Sequence, residues 1–370
     1  MATDAPQAVL AELYTVADFE AAAIARLDPM AREYLIGGAG DEITLRRNRA
    51  ALDAVLLAPR VLRDVSRLDT RVTLFGREHA LPIVLAPTGY HGLFHPGGEC
   101  ETARGAAMAG VTMTVSSVAT TALDQVARAS DARFWYQIYC QRDRAWTLDQ
   151  IRIAEASGFE AFALTVDTPV LGARDREKRA HFHLPPQFRM ANFPPLVGDY
   201  SPNAHHDPHD IYNPFLDASL TWKDFEWLRG HTRLPVLVKG VLSAADARLA
   251  VEHGAAGVIV SNHGGRNLDT VPATIEALPA IAEAIGDRVP ILMDGGVRRG
   301  TDVVKALAFG ARAVLIGRPL VYGLTVGGAA GVARVVELLS LELRQAMALL
   351  GVKSIAEIGR EALWTPPGRS

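Results

Sequence analysis

From Leu81 onward the chain alternates short apolar runs with stretches whose apolar residues recur at intervals of three and four, which predicts parallel strands joined by crossover helices. Eight runs can be marked: PIVLAP from Pro82, TMTVSS from Thr112, RFWYQIY from Arg133, EAFALTV from Glu160, PVLVKG from Pro235, AGVIVS from Ala256, PILMDG from Pro290 and RAVLIG from Arg312. Between them GECETARGAAMAG, AADARLAVEHG and GTDVVKALAFG read as helices, each closed by a glycine. Eight strands alternating with helices predict an α/β fold, the TIM (β/α)8 barrel.

Successive runs start 21 to 34 residues apart, except that 75 residues separate Glu160 from Pro235. An insertion therefore follows strand four, over roughly 167–220, and its length and mixture of Pro, His, Asn and aromatics predict an active-site cover. Residues 1–80 read as two or three helices and a small hairpin, VTLFGREHA, turning at Gly76 and Arg77. These form an N-terminal cap on the barrel (81–330), and a C-terminal helix and tail (331–370) complete a single domain over 1–370. The stretch GVARVVELLSLELRQAMALLG is an amphipathic helix facing the core, with an oligomer interface as its second reading.

With 370 residues, 49% of them hydrophobic and 21% charged, the chain can bury a large core, and disorder is excluded as its general state. A net charge of -3 with no basic stripe argues against nucleic acid as a partner. Cys100 and Cys140 lack CxxC spacing, so both are expected to be reduced thiols. The first residues carry acidic side chains and no basic leader, and no run reaches the ~18 apolar residues of a membrane helix, so a soluble cytoplasmic protein without a membrane partner is expected. Neither G-x-G-x-x-G nor a P-loop occurs, which weighs against dinucleotide and ATP folds.

A TIM barrel carries its chemistry at the C-terminal ends of its strands. There the chain places Thr88, Ser116, Gln137 and Tyr139, Thr165 and Asp167, Lys239, Ser261 and His263, Asp294 and Arg318, in strand order. A Lys directly behind PVLV and an Asp directly behind PILM emerge from the core, where an idle charge is costly. DGGVRRG and IGRP set glycines and arginines after strands seven and eight, the usual phosphate site of this barrel, with a helix starting near Pro319. Two tight turns with surface arginines are the plainer alternative.

The run SNHGGRNLD joins His263, able to take a proton near neutral pH, to Arg266, able to grip a carboxylate by two parallel hydrogen bonds. Asp167 could hold the resulting imidazolium. His205, His206 and His209 look superficially like metal ligands, but they lie in the Pro-rich insertion without flanking regular structure, and no metal is expected. His181 and His183 read as polar residues on one strand-like face.

Taken together with EYLIGGAGDE around Tyr34, LAPTG, FHPGGE, FWYQIY, LTVDTPVLGARDRE and DGGVRRGTDVVKALAFGA, these motifs resemble the FMN-dependent α-hydroxy acid oxidase and dehydrogenase family, which includes glycolate oxidase, lactate oxidase and mandelate dehydrogenase. The resemblance covers nearly the whole chain. It implies that Pro87, Thr88, Gly89, Ser116, Gln137, Thr165, Lys239 and Ser261 surround the flavin ring and ribityl chain, and that Asp294, Gly295, Gly296, Arg298, Gly317 and Arg318 hold the ribityl end and phosphate. It implies Tyr34, Tyr139, Arg174 and Arg266 on the substrate, His263 as base and Asp167 as its partner.

The implied reaction is oxidation of an L-2-hydroxy acid to a 2-oxo acid, with oxygen as acceptor. A family dehydrogenase passing electrons to a quinone, or a Schiff-base lyase using Lys239, are the alternatives. Hydride and carbanion routes both stay open. Val118 stands where plant glycolate oxidase has a Trp, and Gly89 where an Ala faces the flavin, so an aromatic or medium-chain acid such as mandelate is expected. Phe188, Met190, Phe193 and Tyr200 are candidates to refill the space, and a homo-oligomer, tetramer or octamer, is the expected assembly.

Overall fold

The computed structural model describes residues 9–193, 211–212 and 216–365. Two short strands come first, β1 (Val72–Leu74) and β2 (Arg77–His79). Eight more follow: β3 (Ile83–Leu85), β4 (Thr112–Ser116), β5 (Phe134–Ile138), β6 (Ala161–Thr165), β7 (Val236–Val241), β8 (Gly257–Val260), β9 (Ile291–Met293) and β10 (Ala313–Ile316). These eight pair in parallel in chain order, and β10 closes on β3. Each apolar run is thus a barrel strand, and the (β/α)8 barrel stands.

Period two along the strands sorts the interior by height. Val84, Trp135, Ala161, Ala163, Leu237, Ile259, Leu292, Ala313 and Leu315 form the packed inner cluster, in which alanines make room for the buried Trp135 indole. Two residues further along their strands, Gln137, Thr165, Lys239, Ser261 and Asp294 share that inward phase, so the upper end of the interior is polar. A separate cluster fills the layer between barrel and helices.

The hairpin closes the lower end. Val72 and Leu74 join the inner cluster, Phe75 meets Trp135 edge to face, and the His79 ring lies 3.2 Å from Thr112 Oγ1 at the start of β4. Leu74 pairs with Arg77, so the turn residues are Phe75 and Gly76, one residue earlier than the sequence pattern implied. Both have positive φ (49° and 75°), as a two-residue turn matching strand twist requires, and Arg77 is thereby left in the ladder.

Three helices, Val16–Arg26, Pro29–Ile36 and Ile43–Ala54, make the cap. Glu42 gives the third no side-chain cap, and Asp269 from the far end of the SNHGGRNLD loop accepts instead from the N–H groups of Ile43 and Thr44. Buried Asn48 and Asn262 exchange amide hydrogen bonds of 2.9 and 2.7 Å, tying the same helix to the end of β8.

The helix after β10 runs from Arg318 to Leu350, starting well before 331, and bends where Gly327 and Gly328 leave helical φ/ψ. Contrary to the sequence-based expectation, it is long and apolar enough to cross a membrane by length and composition. Its apolar face is spent otherwise, because it packs against helices Gly98–Ala109, Val16–Arg26 and Gly300–Ala308 and buries Leu320, Val321, Leu339 and Leu343.

Candidate active site

The upper mouth of the barrel holds one deep cleft, lined by residues from the cap, the strand ends and the described part of the insertion. On its floor Lys239 is almost fully buried; its Nζ donates to Ser261 Oγ (2.8 Å) and lies 3.0 Å from Asp294 Oδ2. Burial opposes the ammonium, but Asp294 and Asp167 outweigh it and raise the Lys239 pKa. A cation so held is not a free amine, which disfavours Schiff-base chemistry at this lysine. Ser261, expected from the sequence to touch the cofactor, is fully buried beside this floor and accepts from Lys239 and from the His263 N–H.

Gln137 crosses the floor, accepting from Ser116 Oγ (3.2 Å) and Ser117 N–H (3.1 Å) and donating to Thr165 Oγ1 (2.9 Å). Pro87, Thr88, Gly89, Ser116, Gln137 and Thr165 therefore form one wall with Lys239. Asp294, Gly295, Gly296, Arg298, Gly317 and Arg318 line the other end.

His263 follows β8 in a left-handed conformation (φ 57°), a strain of roughly 1–3 kcal/mol for a residue with a Cβ. Its Nδ1 lies 3.0 Å from Asp167 Oδ1, and its Nε2 3.4 Å from the Tyr139 hydroxyl. Asp167 stands behind the imidazole, outside the cleft, at the end of β6. Burial pushes the His263 pKa below its ordinary value, with Asp167 pulling the other way. Burial also penalises the Asp167 charge, yet His263 and Lys239 hold its carboxyl below the usual range. At neutral pH the pair is thus a neutral imidazole on a carboxylate, with Nδ1–H donating and the Nε2 lone pair toward the cleft. Asn267, not foreseen, clamps the carboxylate's neighbourhood by donating to the Asp167 carbonyl (2.8 Å) and Thr168 Oγ1 (2.7 Å).

Above the imidazole Arg174, Arg266, Tyr34 and Tyr139 line the cleft. The Arg266 guanidinium sits 4.7 Å over the Tyr34 ring, donates to the Tyr34 and Gly37 carbonyls, and pairs with Glu177 Oε1 at 2.8 Å. Glu177, which the sequence reading passed over, is buried and also lies 3.7 Å from Arg174. Its signal was present as the Glu three residues after Arg174 in GARDRE, the spacing that stacks side chains on one helix face.

Arg318, expected from the sequence at the phosphate, lines this end of the cleft and has protein partners of its own. Its guanidinium donates to the carbonyls of Leu35 (2.8 Å), Gly264 (2.9 Å) and Gly37 (2.8 Å), latching the cap to the His263 loop. Burial and the nearby Arg266 push its pKa down to about 10.

An aromatic box closes the cleft: Tyr34 stacks on Phe182 at 4.6 Å and contacts Tyr90 (5.5 Å) and Phe94 (6.2 Å), with Met190, Phe193 and Leu216 beside them. Of the candidate fillers, Met190 and Phe193 reach the cleft. Phe188 packs near Gly92 instead, and Tyr200, with His205, His206 and His209, lies outside the described residues. His181 and His183 share no strand, since the segment turns at His181 (φ 50°) and drives Phe182 inward. Val118 and Gly89 are not independent openings either: a Cβ at Gly89 would stand 2.6 Å from Val118 Cγ2, so the valine occupies the room the glycine leaves.

Two observations match FMN to this cleft. Asp294 Oδ1 is buried without a partner on the floor, as expected of an acceptor awaiting a hydroxyl such as those of a ribityl chain. At Gly317 a Cβ would touch only Thr88 and Ala86, at 3.5 and 3.8 Å, so the protein's own packing leaves that backbone open to a ligand.

The family model for FMN-dependent dehydrogenases matches residues 23–365. Among curated proteins the chain is 46% identical to glycolate oxidase 1 of Zea mays over 357 residues (96% of this chain, 97% of that one). It is 44% identical to an L-lactate oxidase of Nostoc sp. over 348 residues (92% and 95%). Among solved structures, mandelate oxidase with benzoyl-formic acid superposes with a TM-score of 0.87 at 41% identity, covering 97% of this chain and 100% of the other. Mandelate oxidase with (S)-2-phenylpropionate gives 0.86 at 41% identity with the same coverage.

Proposed function

Because the chain belongs to the FMN-dependent dehydrogenase family, with FMN as its cofactor and 2-hydroxy-acid oxidases as its relatives, we propose that it oxidises an aromatic or medium-chain L-2-hydroxy acid to the 2-oxo acid and passes the electrons to oxygen, giving hydrogen peroxide. The observation that carries this reading is His263, buried and neutral, with Nδ1 on Asp167 and Nε2 facing a cleft roofed by two arginines.

In this mechanism Arg266 and Arg174 take the substrate carboxylate, Arg266 being pre-aimed by Glu177 and the Tyr34 ring. The hydroxyls of Tyr34 and Tyr139 complete the grip. His263 accepts the substrate proton at Nε2, and Asp167 stabilises the imidazolium that results. FMN, when bound, supplies the two-electron acceptor. Lys239 provides the fixed positive charge on the floor, where negative charge builds up in such a reaction. The aromatic box favours a substrate side chain that can lie against Tyr34, Tyr90 and Phe182.

Anaerobic mixing of the FMN-loaded protein with a panel of L- and D-2-hydroxy acids tests this. Mandelate and other bulky L-acids should bleach the flavin faster than glycolate, and oxygen should restore the colour. Reoxidation by a quinone but not by oxygen would make the protein a dehydrogenase, and absence of bleaching by any acid would end the proposal.

A further inference from the structure

Behind the strand-one wall lies a buried polar chain that this proton transfer does not use. His91, in the turn after β3, places Nε2 2.5 Å from Thr88 Oγ1 and Nδ1 2.9 Å from Thr102 Oγ1. The fully buried Glu99 accepts from the His91 backbone N–H (3.0 Å), from the N–H and hydroxyl of Thr120 (2.9 and 2.7 Å) and from the Thr121 hydroxyl (2.8 Å). That carboxylate ties the backbone of the turn to the loop after β4, and the two threonine hydroxyls hold the ring.

Burial pushes the His91 pKa below its ordinary value despite the Glu99 charge, and the ring is neutral. It therefore has one N–H to give and one lone pair to receive. The two flanking hydroxyls decide which nitrogen carries the proton. Thr102 is fully buried, and among the described residues its hydroxyl has no hydrogen-bond partner except His91 Nδ1. A buried O–H left without an acceptor is costly, so Thr102 donates to Nδ1 and the proton resides on Nε2. Nε2–H then donates to Thr88 Oγ1, and the Thr88 hydroxyl proton is left to point into the cleft that Thr88 lines.

We propose that His91 is a positioning residue: its Nε2–H tautomer, fixed by Thr102, makes the Thr88 hydroxyl an obligate hydrogen-bond donor to the bound flavin. With the opposite tautomer the same hydroxyl would be consumed by the imidazole and would offer the cofactor only lone pairs. A donor at the ring favours its electron-rich, reduced form and raises its midpoint potential. The inference rests on the placement of FMN against Thr88 made above.

Neutron diffraction from deuterium-exchanged crystals of the FMN-loaded protein locates the deuterons directly, and potentiometry of Thr88→Val and Thr88→Ser reports on the flavin contact. The expected result is a deuteron on His91 Nε2 and the Thr88 deuteron directed at the flavin. Thr88→Val should have a lower midpoint potential and an altered flavin absorption spectrum, with both restored in Thr88→Ser. A deuteron on Nδ1 together with a shifted potential in Thr88→Val would overturn the tautomer assignment and leave the flavin placement standing. An unchanged spectrum and potential in Thr88→Val would overturn the flavin placement, and this proposal with it.

Discussion

The backbone of Gly240 approaches Asp167 so closely that a Cβ on the glycine would stand 2.6 Å from both Cβ and Cγ of the aspartate. Gly240 has φ +110°, and the β7–β8 register shifts between Lys239 and Val241. Lys239 reaches the cleft floor by the regular alternation of its strand, and the irregularity just beyond it makes the space in which the orienting carboxylate sits. Gly240→Ala should strain the backbone and displace Asp167 from His263. We expect FMN to remain bound while anaerobic flavin reduction slows by about tenfold or more, since catalytic groups tolerate little misplacement. A reduction rate within twofold of the unsubstituted protein, by stopped flow, would show that Asp167 is not positioned this way.

His263→Gln should keep FMN and lose about 10²–10⁴ in the rate of flavin reduction, the usual worth of a general base. The pH dependence follows from the depressed His263 pKa. The active form is the neutral ring, so kcat/KM should be flat through neutrality and fall on the acid side, below the ordinary imidazole range. Because Asp167 holds that pKa up against burial, Asp167→Asn should move the acid limb to still lower pH while reducing the plateau. Stability has the same sign: the unfolded chain binds the proton more readily, so this histidine's contribution is complete above its unfolded pKa and lost as pH falls toward the folded one.

Arg266→Lys should raise KM and lower kcat together, because an ammonium cannot reproduce the planar fork or its seat over Tyr34. Steady-state kinetics with mandelate would expose an error in the placement of the carboxylate if both constants stayed unchanged.

Gly89→Ala should force Val118 or the Tyr34 hydroxyl aside, since the new methyl would lie 2.6 Å from the one and 3.0 Å from the other. Bulky acids should lose specificity constant relative to glycolate by roughly tenfold, the worth of one or two displaced methylenes at ~0.8 kcal/mol each. Gly89→Ala combined with Val118→Ala should recover most of that loss if the two positions are coupled. An additive double substitution in a chain-length series would contradict the coupling.

Much of this architecture was legible in the chain. Barrel strands are buried on both faces and read as continuous apolar runs, so eight of them could be counted, and Lys239 and Asp294 stood out as charges at the ends of such runs. The aromatic box was not legible, because Phe182 sits between two polar histidines in a segment without regular period and is brought against Tyr34 only by the turn at His181. The latch made by Arg318 was not legible for a different reason: an Arg at a helix start beside glycines has the composition of a phosphate site, and nothing in that pattern points to the three backbone carbonyls on its guanidinium. Ser261 was in register with the floor residues, but its two partners, the Lys239 ammonium and the His263 N–H, were not legible in the chain.

The hairpin that plugs the lower barrel, with Phe75 against Trp135 and Val72 and Leu74 in the inner cluster, also governs traffic. Among the described residues the hairpin and the inner cluster fill the lower barrel, so the upper mouth serves as both entrance and exit. In the proposed mechanism the hydroxy acid and its oxo product carry the same carboxylate to the same two arginines and take turns in one doorway. The product should therefore inhibit by competing with its own precursor, and the speed at which the oxo acid departs sets a ceiling on turnover that no improvement in the proton transfer can lift.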